Sequence, residues 1–409
     1  MMGKVGRLAV PLVALELVAC TVTTSGAQCN GDANCQTGQR CVGASSDQSG
    51  TCQPCSLSCS AGLACGTGAG GAEACVCPVA GPVYYADSVN GAAASATPAP
   101  TGAQSPPECR FASLQDALAA ASAPGSVVKA TGATSATMSF SVSSKLEVGA
   151  GVTLTSDAAA CPAGQSCTHL YAIAGASTAS PVVQLDAGAT LSEFEVQGGS
   201  SSANAVQTNC GSGSGTITVL DVKVDGTSKT GVYHAGTCPV ALQSSTITGA
   251  TDSGIILDAS SNAVSAALTG NVLTKNSATT SHNISGTLRR GGGIAVTSGD
   301  TSNAITLVAR GNQFAGNKYD QVLVYVVGSL NLAGGADQSA CSASPPAANY
   351  IGCYDTTSSP AGVGISANAT GVDASWNQWP QDPPVAGTDY IGSVVASPAC
   401  SANTTCPNP

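Results

Sequence analysis

A chain of 409 residues is long enough for a sizeable core and more than one domain. Only 9% of it is charged and 4% aromatic, while glycine occurs 49 times, which favours an all-β body over a helical one. The formal charge of −10, with no basic run longer than Arg289-Arg290, excludes the concentrated cationic stripe that nucleic-acid binding requires.

The first residues read as an export signal. Lys4 and Arg7 supply a positive start, and Leu8 to Ala19 form an apolar run too short to cross a bilayer, whose core needs about 20 helical residues. The run ends Leu17-Val18-Ala19-Cys20, which resembles the lipobox of bacterial lipoproteins. That resemblance implies cleavage after residue 19, a diacylglyceryl thioether on Cys20 and acylation of the new amino terminus. Such an anchor exceeds the two-signal threshold for stable membrane attachment. Thr21, in place of Asp, then implies the bacterial outer membrane. The alternative is an ordinary signal peptide with Cys20 merely nearby. Residues 20–28 follow as a flexible tether.

Nineteen cysteines suit an oxidising compartment. Nine of them fall between Cys29 and Cys77, in a segment (29–80) with few apolar residues, where disulfides would replace a core. Cys52-x2-Cys55 could also suggest zinc, but the segment has no histidine and lacks paired CxxC spacing. It resembles the small cysteine-rich modules that follow the lipobox in other secreted lipoproteins.

The main domain is expected over 81–409. Ser113 is placed to cap a short helix whose apolar face is Leu114, Ala117, Leu118 and Ala121, ended by Pro124-Gly125. A helix there would cover the first rung of a solenoid. Between Thr190 and Val327 the sequence repeats itself. Val224-x-Gly226-x4-Gly231-Val232, Ile247-x-Gly249-x4-Gly254-Ile255 and Phe314-x-Gly316-x4-Gln321-Val322 are the clearest copies. Two looser ones bring the second apolar position to 206, 232, 255, 294 and 322, at intervals of 26, 23, 39 and 28. The long interval holds 13 extra residues. Such a period, built of β-branched runs and Gly/Asn turns, predicts a parallel β-helix, in which residues one period apart become neighbours. Asn271, Asn276, Asn312 and Asn317 fall at its corners, where asparagine tolerates left-handed backbone. A polar binding ladder is the other reading of them.

Tyr85-x-Asp87-x2-Asn90-Gly91, Phe111-x-Ser113-Leu114-x2-Ala117-Leu118 and the closing Asp373-x3-Asn377-x-Trp379 together resemble an uncharacterised family of secreted right-handed β-helix proteins of the pectin-lyase-like class. The resemblance implies an all-β, right-handed solenoid. It also implies that Trp376 and Trp379 cover the last rung, a sugar-stacking platform being the alternative. Nearest-neighbour disulfides in this domain would be Cys161–Cys167, Cys210–Cys238, Cys341–Cys353 and Cys400–Cys406, leaving Cys109 to reach the odd cysteine of the module.

Polysaccharide enzymes on such folds need paired carboxylates, or an Arg or Lys base with carboxylate-bound calcium. No such cluster emerges. Asp221, Lys223 and Asp225 lie along one strand without evident partners on adjacent rungs, the three histidines are scattered, and no metal or cofactor motif is present. The rung frame does stack one set of turns. It places Lys229, Asp252, Lys275, His282, Arg289, Arg290, Lys318, Tyr319 and Asp320 along a single edge with the long insertion, where solenoids place binding loops. The plainer reading is that turns are simply where a low-charge protein puts its charges. The sequence therefore leads to a lipid-anchored, non-catalytic envelope protein offering this edge to an anionic polysaccharide or another surface protein. A polysaccharide lyase or hydrolase and a purely structural envelope role are the alternatives.

Overall fold

Runs of three to six residues that alternate β-branched with small polar side chains cannot bury their apolar face alone, and here they do so by stacking. The computed structural model describes residues 28–29, 39–43, 48–56, 64–67, 73–76, 83–88, 109–132, 137–157, 169–199, 203–226, 229–298, 303–326, 329–332, 339–342, 348–355, 357 and 359–400. Cys20, Cys161, Cys167 and Cys406 lie outside these residues, as does the side chain of Cys109.

From Val83 onward the chain winds as a parallel β-helix of three sheets. Most coils lay one strand in sheet 1 (nine strands), one in sheet 2 (eight) and one in sheet 3 (ten), then begin again. The periodic positions form one column in sheet 3, where Val206 pairs Val232, then Ile255, Ile294 and Val322. The column extends past the legible repeat, to Val183 and Leu146 on one side and to Ile365 on the other. Sheet 2 supplies a second column, Val196-Val224-Ile247-Leu273-Phe314-Ile351, and sheet 1 a third, Leu154-Leu191-Val219-Leu242-Leu268-Ala309. All three point inward and are buried. Each large member contributes about 1.5–3 kcal/mol, which is how a protein with 4% aromatics obtains a continuous core.

The helix Leu114–Ala120 sits at the amino-terminal end of the stack, against strands Val83–Ala86, Cys109–Phe111 and Val127–Ala130. Ser113 caps it by accepting the Asp116 N–H at 3.1 Å, and Leu114, Ala117, Leu118 and Ala121 are buried as their spacing implied. At the other end Trp379 is fully buried against Tyr390, which removes it as a sugar platform.

Between sheets 1 and 2 most coils turn on a single left-handed residue: His169, Glu193, Asp221, Ser244, Gly270, Gly311 and Trp376. The corner asparagines are therefore not left-handed themselves; each of them but Asn349 follows a residue that is. Their side chains do other work. In this first edge Asn271 Oδ1 accepts the Ser245 N–H, Asn312 Oδ1 the Asn271 N–H, Asn349 Oδ1 the Asn312 N–H and Asn377 Oδ1 the Asn349 N–H, each at 3.0–3.1 Å. The carboxamide N–H groups bond along the same line and to carbonyls of the preceding coil, so the column is a buried spine rather than a binding ladder.

The cysteine-rich segment holds a three-stranded sheet of Gln28–Cys29, Gly50–Pro54 and Gln39–Val42 and a pair of strands, Ala64–Thr67 and Glu73–Val76. Cys29 is bridged to Cys41, and Cys52 and Cys55 are also in disulfides, so zinc is not their chemistry. In the β-helix Cys210–Cys238 forms as expected. Cys341 does not pair with Cys353: it bridges to Cys400, 59 residues away, which also removes the Cys400–Cys406 pairing. Nearest-neighbour logic fails there because the final coil brings Cys400 back beside the short helix Ser339–Ser342. Cys353 is in a disulfide of its own.

Candidate functional site

The second edge, between sheets 2 and 3, carries most of the nine expected residues; His282 lies instead on the outer face of sheet 3. It starts from the same turn chemistry as the first. Gly249, Lys275, Gly316 and Cys353 occupy one left-handed column, and the asparagines after two of them, Asn276 and Asn317, begin a second side-chain ladder. Asn276 Oδ1 accepts the Ala250 N–H and Asn317 Oδ1 accepts the Asn276 N–H, both at 3.1 Å. The next place is taken by Gln321 from the same coil, whose Oε1 accepts from Asn317 at 2.7 and 3.2 Å. The ladder stops there.

Residues 276–292 do not form an open loop. They fold into a hairpin of His282–Ile284 paired with Thr287–Arg289, which lies on the outer face of sheet 3. Ile284 is fully buried there with Ile256, Ala295 and Leu323, an apolar stretch of that face. His282 stacks on Tyr325 with ring centroids 4.3 Å apart, and its Nε2 has no hydrogen-bond partner. Burial holds that imidazole below its ordinary pKa, with Asp258 pulling the other way.

Three of the nine residues leave the accessible edge altogether. Arg289 is 3% exposed and forks onto the carboxylate of Asp320, 1% exposed, with Nε 3.1 Å from Oδ2. Arg289 also donates to Ser366 Oγ and the Ala361 carbonyl, both at 3.0 Å, while Asp320 accepts the Val363 N–H at 2.9 Å and the Ser366 hydroxyl at 2.5 Å. Burial pushes the Asp320 carboxyl up, and Arg289 and the other donors pull against it. The pair bolts the hairpin to two coils. Asp252 is also fully buried and accepts from the Thr279 N–H, the Thr280 N–H and the Thr280 hydroxyl at 2.9–3.2 Å. Burial alone would raise its pKa; the three donors outweigh burial and lower it.

What remains at the surface is cationic. Lys229, Lys275 and Lys318 are exposed, and Arg290 and Tyr319 are half-buried beside them. Arg290 lies 4.9 Å from the Tyr319 ring centroid and donates to the Tyr319 hydroxyl at 2.8 Å; the Lys318 ammonium lies 5.2 Å from the same centroid. Lys275, Ser277, Lys318 and Asp355 surround a shallow pit of about 360 Å³, floored by Asn276 and Asn317. Ser277 and Asp355 were missed by the sequence frame. Its last recognised copy began at Phe314, and the following coil starts only at Tyr350, after a gap the period does not span.

The other candidates resolve differently. Lys223 does have a partner on the adjacent rung: its ammonium is 3.0 Å from Glu195 and 3.2 Å from Asp225. The Glu195 hydrogen bond raises its pKa most, which keeps it charged and unfit as a base. His234 is buried in the core, with Nδ1 2.7 Å from the Thr208 hydroxyl and Nε2 unpartnered, and burial lowers its pKa to about 4. Among the described residues no group of three His, Cys, Asp or Glu side chains is arranged to hold a metal ion, and no helix is long and apolar enough to cross a membrane. No family model matches the chain, and neither a curated protein nor a solved structure does.

Proposed function

We propose that this chain is a non-catalytic binding protein of the bacterial cell envelope, held to the outer membrane through lipid on Cys20, which presents the second edge of its β-helix to an anionic glycan. The observation that carries this reading is the pairing of charges. Lys129, Lys145, Lys223 and Arg289 each have a carboxylate within 4.0 Å. Lys229, Lys275, Arg290 and Lys318, on stacked turns about 4.8 Å apart per rung, have none among the described residues, and neither does Arg310, which stands alone on a strand of sheet 1. In a protein with a formal charge of −10, four cations left unneutralised on one edge are a positive patch in a negative field. The pit is open and shallow, and its single carboxylate is turned toward Thr357, at 2.6 Å from the hydroxyl and 3.0 Å from the N–H. That geometry suits recognition of a bound chain better than general acid–base chemistry, which needs two carboxyl groups facing one bond.

A glycan-array screen of the full chain against its Lys229→Ala, Lys275→Ala, Arg290→Ala, Lys318→Ala variant tests the reading. Retained binding to acidic glycans in the fourfold variant would remove the edge as the site. Release of the native protein from outer-membrane fractions by Cys20→Ser tests the anchor separately.

A further inference from the structure

Which anion the pit selects follows from which cationic groups are already engaged. A carboxylate is read best by a guanidinium, whose planar fork matches its two oxygens. Neither guanidinium on this edge lines the pit. Arg289 spends its fork on Asp320, Ser366 and Ala361, below the surface. Arg290 is turned onto the ring and hydroxyl of Tyr319. Besides Asn276 and Asn317, whose amide N–H groups are engaged within the ladder, the donor side chains lining the pit are Lys275, Lys318 (its ammonium also 5.2 Å from the Tyr319 ring) and Ser277. Ammonium groups are point charges with three donors each and no planar preference, which suits a compact tetrahedral oxyanion carrying two charges.

Lys275 adds a second observation. It stands in the left-handed column at φ 56°, where the coils before and after use Gly249 and Gly316. A side chain there costs about 1–2 kcal/mol relative to glycine, so a lysine is held at the mouth of the pit against the backbone's preference.

Resting on the anionic-ligand reading above, we infer that the Lys275–Ser277–Lys318 pit is a site for a terminal phosphate monoester, carried by a sugar or by a lipid headgroup, rather than for the carboxylate of a uronic acid. A monoester loses its second proton near pH 6, whereas a uronate is fully ionised above pH 5. Among the described residues, the charged or titratable groups facing the pit are Lys275 and Lys318 on its two coils, Asp355 on the next, and Arg290 and Tyr319 behind Lys318; no histidine is among them.

The test is calorimetric titration of the full chain with mannose 6-phosphate and with trigalacturonate, alongside sedimentation with phosphatidylcholine vesicles with and without phosphatidic acid. The proposal expects the sugar phosphate to bind about fivefold or more tightly at about pH 7.5 than at about pH 5, as the dianion forms. Lys275→Gln with Lys318→Gln should weaken that binding at least about tenfold, through loss of two charge contacts. Trigalacturonate should bind more weakly and with no such rise. Binding only to the phosphatidic acid vesicles, with the same pH rise and the same lysine dependence, would support the site and assign it to a lipid headgroup. Equal or tighter binding of trigalacturonate with a flat pH profile would overturn the phosphate assignment and leave the anionic-edge reading standing. No binding of any probe would overturn both.

Discussion

The two turn edges of this β-helix begin from one design and end differently. In each, a left-handed residue reverses the chain and the next side chain caps the coil before it. The first edge carries the pattern through from Ser245 to Asn377 and becomes a closed, buried spine. The second reaches only Asn317 before Gln321 ends it and the hairpin lies over the neighbouring face. The difference teaches where a solenoid can afford a surface. An edge whose side chains satisfy its own backbone has nothing to offer a ligand. An edge whose ladder is cut short is braced instead by a buried ion pair, and its remaining cations stay free.

The largest effect should come from breaking that brace. Asp320→Ala leaves Arg289 buried without its counter-charge and is expected to cost about 3–5 kcal/mol, read as a shift in the denaturation midpoint. Because Ile284 and His282 share the hairpin, limited proteolysis should cut first near exposed Leu288 in this variant. A spine substitution should follow closely. Asn312→Ala removes the acceptor of the Asn271 N–H and side-chain amide and the side-chain donor to Asn349 Oδ1 and the Leu268 carbonyl, which predicts a loss of about 2–4 kcal/mol. Asn317→Ala on the second edge should cost less, since its column is shorter. An equal cost would mean that the two edges are energetically alike and the comparison fails.

Acid should separate the core from the edge. His234 has a folded pKa of about 4 against an ordinary 6.5, so the folded state binds fewer protons. Its contribution is therefore present in full above pH 6.5 and is lost as pH falls through about 4. The amount is on the order of 3 kcal/mol. His282 shifts in the same direction and should loosen the hairpin over the acid side of 6.5. Replacing His234 by Gln should flatten the dependence of global stability on pH, and replacing His282 by Gln should flatten only the proteolysis of the hairpin.

Much of this arrangement is legible before any coordinates. The apolar column 206-232-255-294-322 is readable because inward positions must be β-branched or large, and the turns between them must be Gly or Asn. The capping helix is readable because Ser113 and its apolar face are local. Burial of Asp252, Arg289 and Asp320 is not, because a charged residue in a turn is assigned to solvent unless its partner is known, and the partners lie 27, 31 and 46 residues away. The bridge from Cys341 to Cys400 is hidden for the same reason. Local chemistry is written locally; the closure of the last coils is not.

The smallest effect on stability is the sharpest test of the comparison. Lys275→Gly places glycine in a column that already uses Gly249 and Gly316, and so relieves the left-handed strain at φ 56°. The variant should be as stable as the native chain or more so, by up to about 1 kcal/mol, because glycine adopts this backbone freely but gives back some unfolded-state entropy. It should at the same time lose anion binding, since one of the two ammonium groups at the pit is gone. A gain in stability with a loss of binding marks Lys275 as a residue kept for what it touches outside the protein. A loss of stability with binding unchanged would return the second edge to the same role as the first, a turn that serves only the fold.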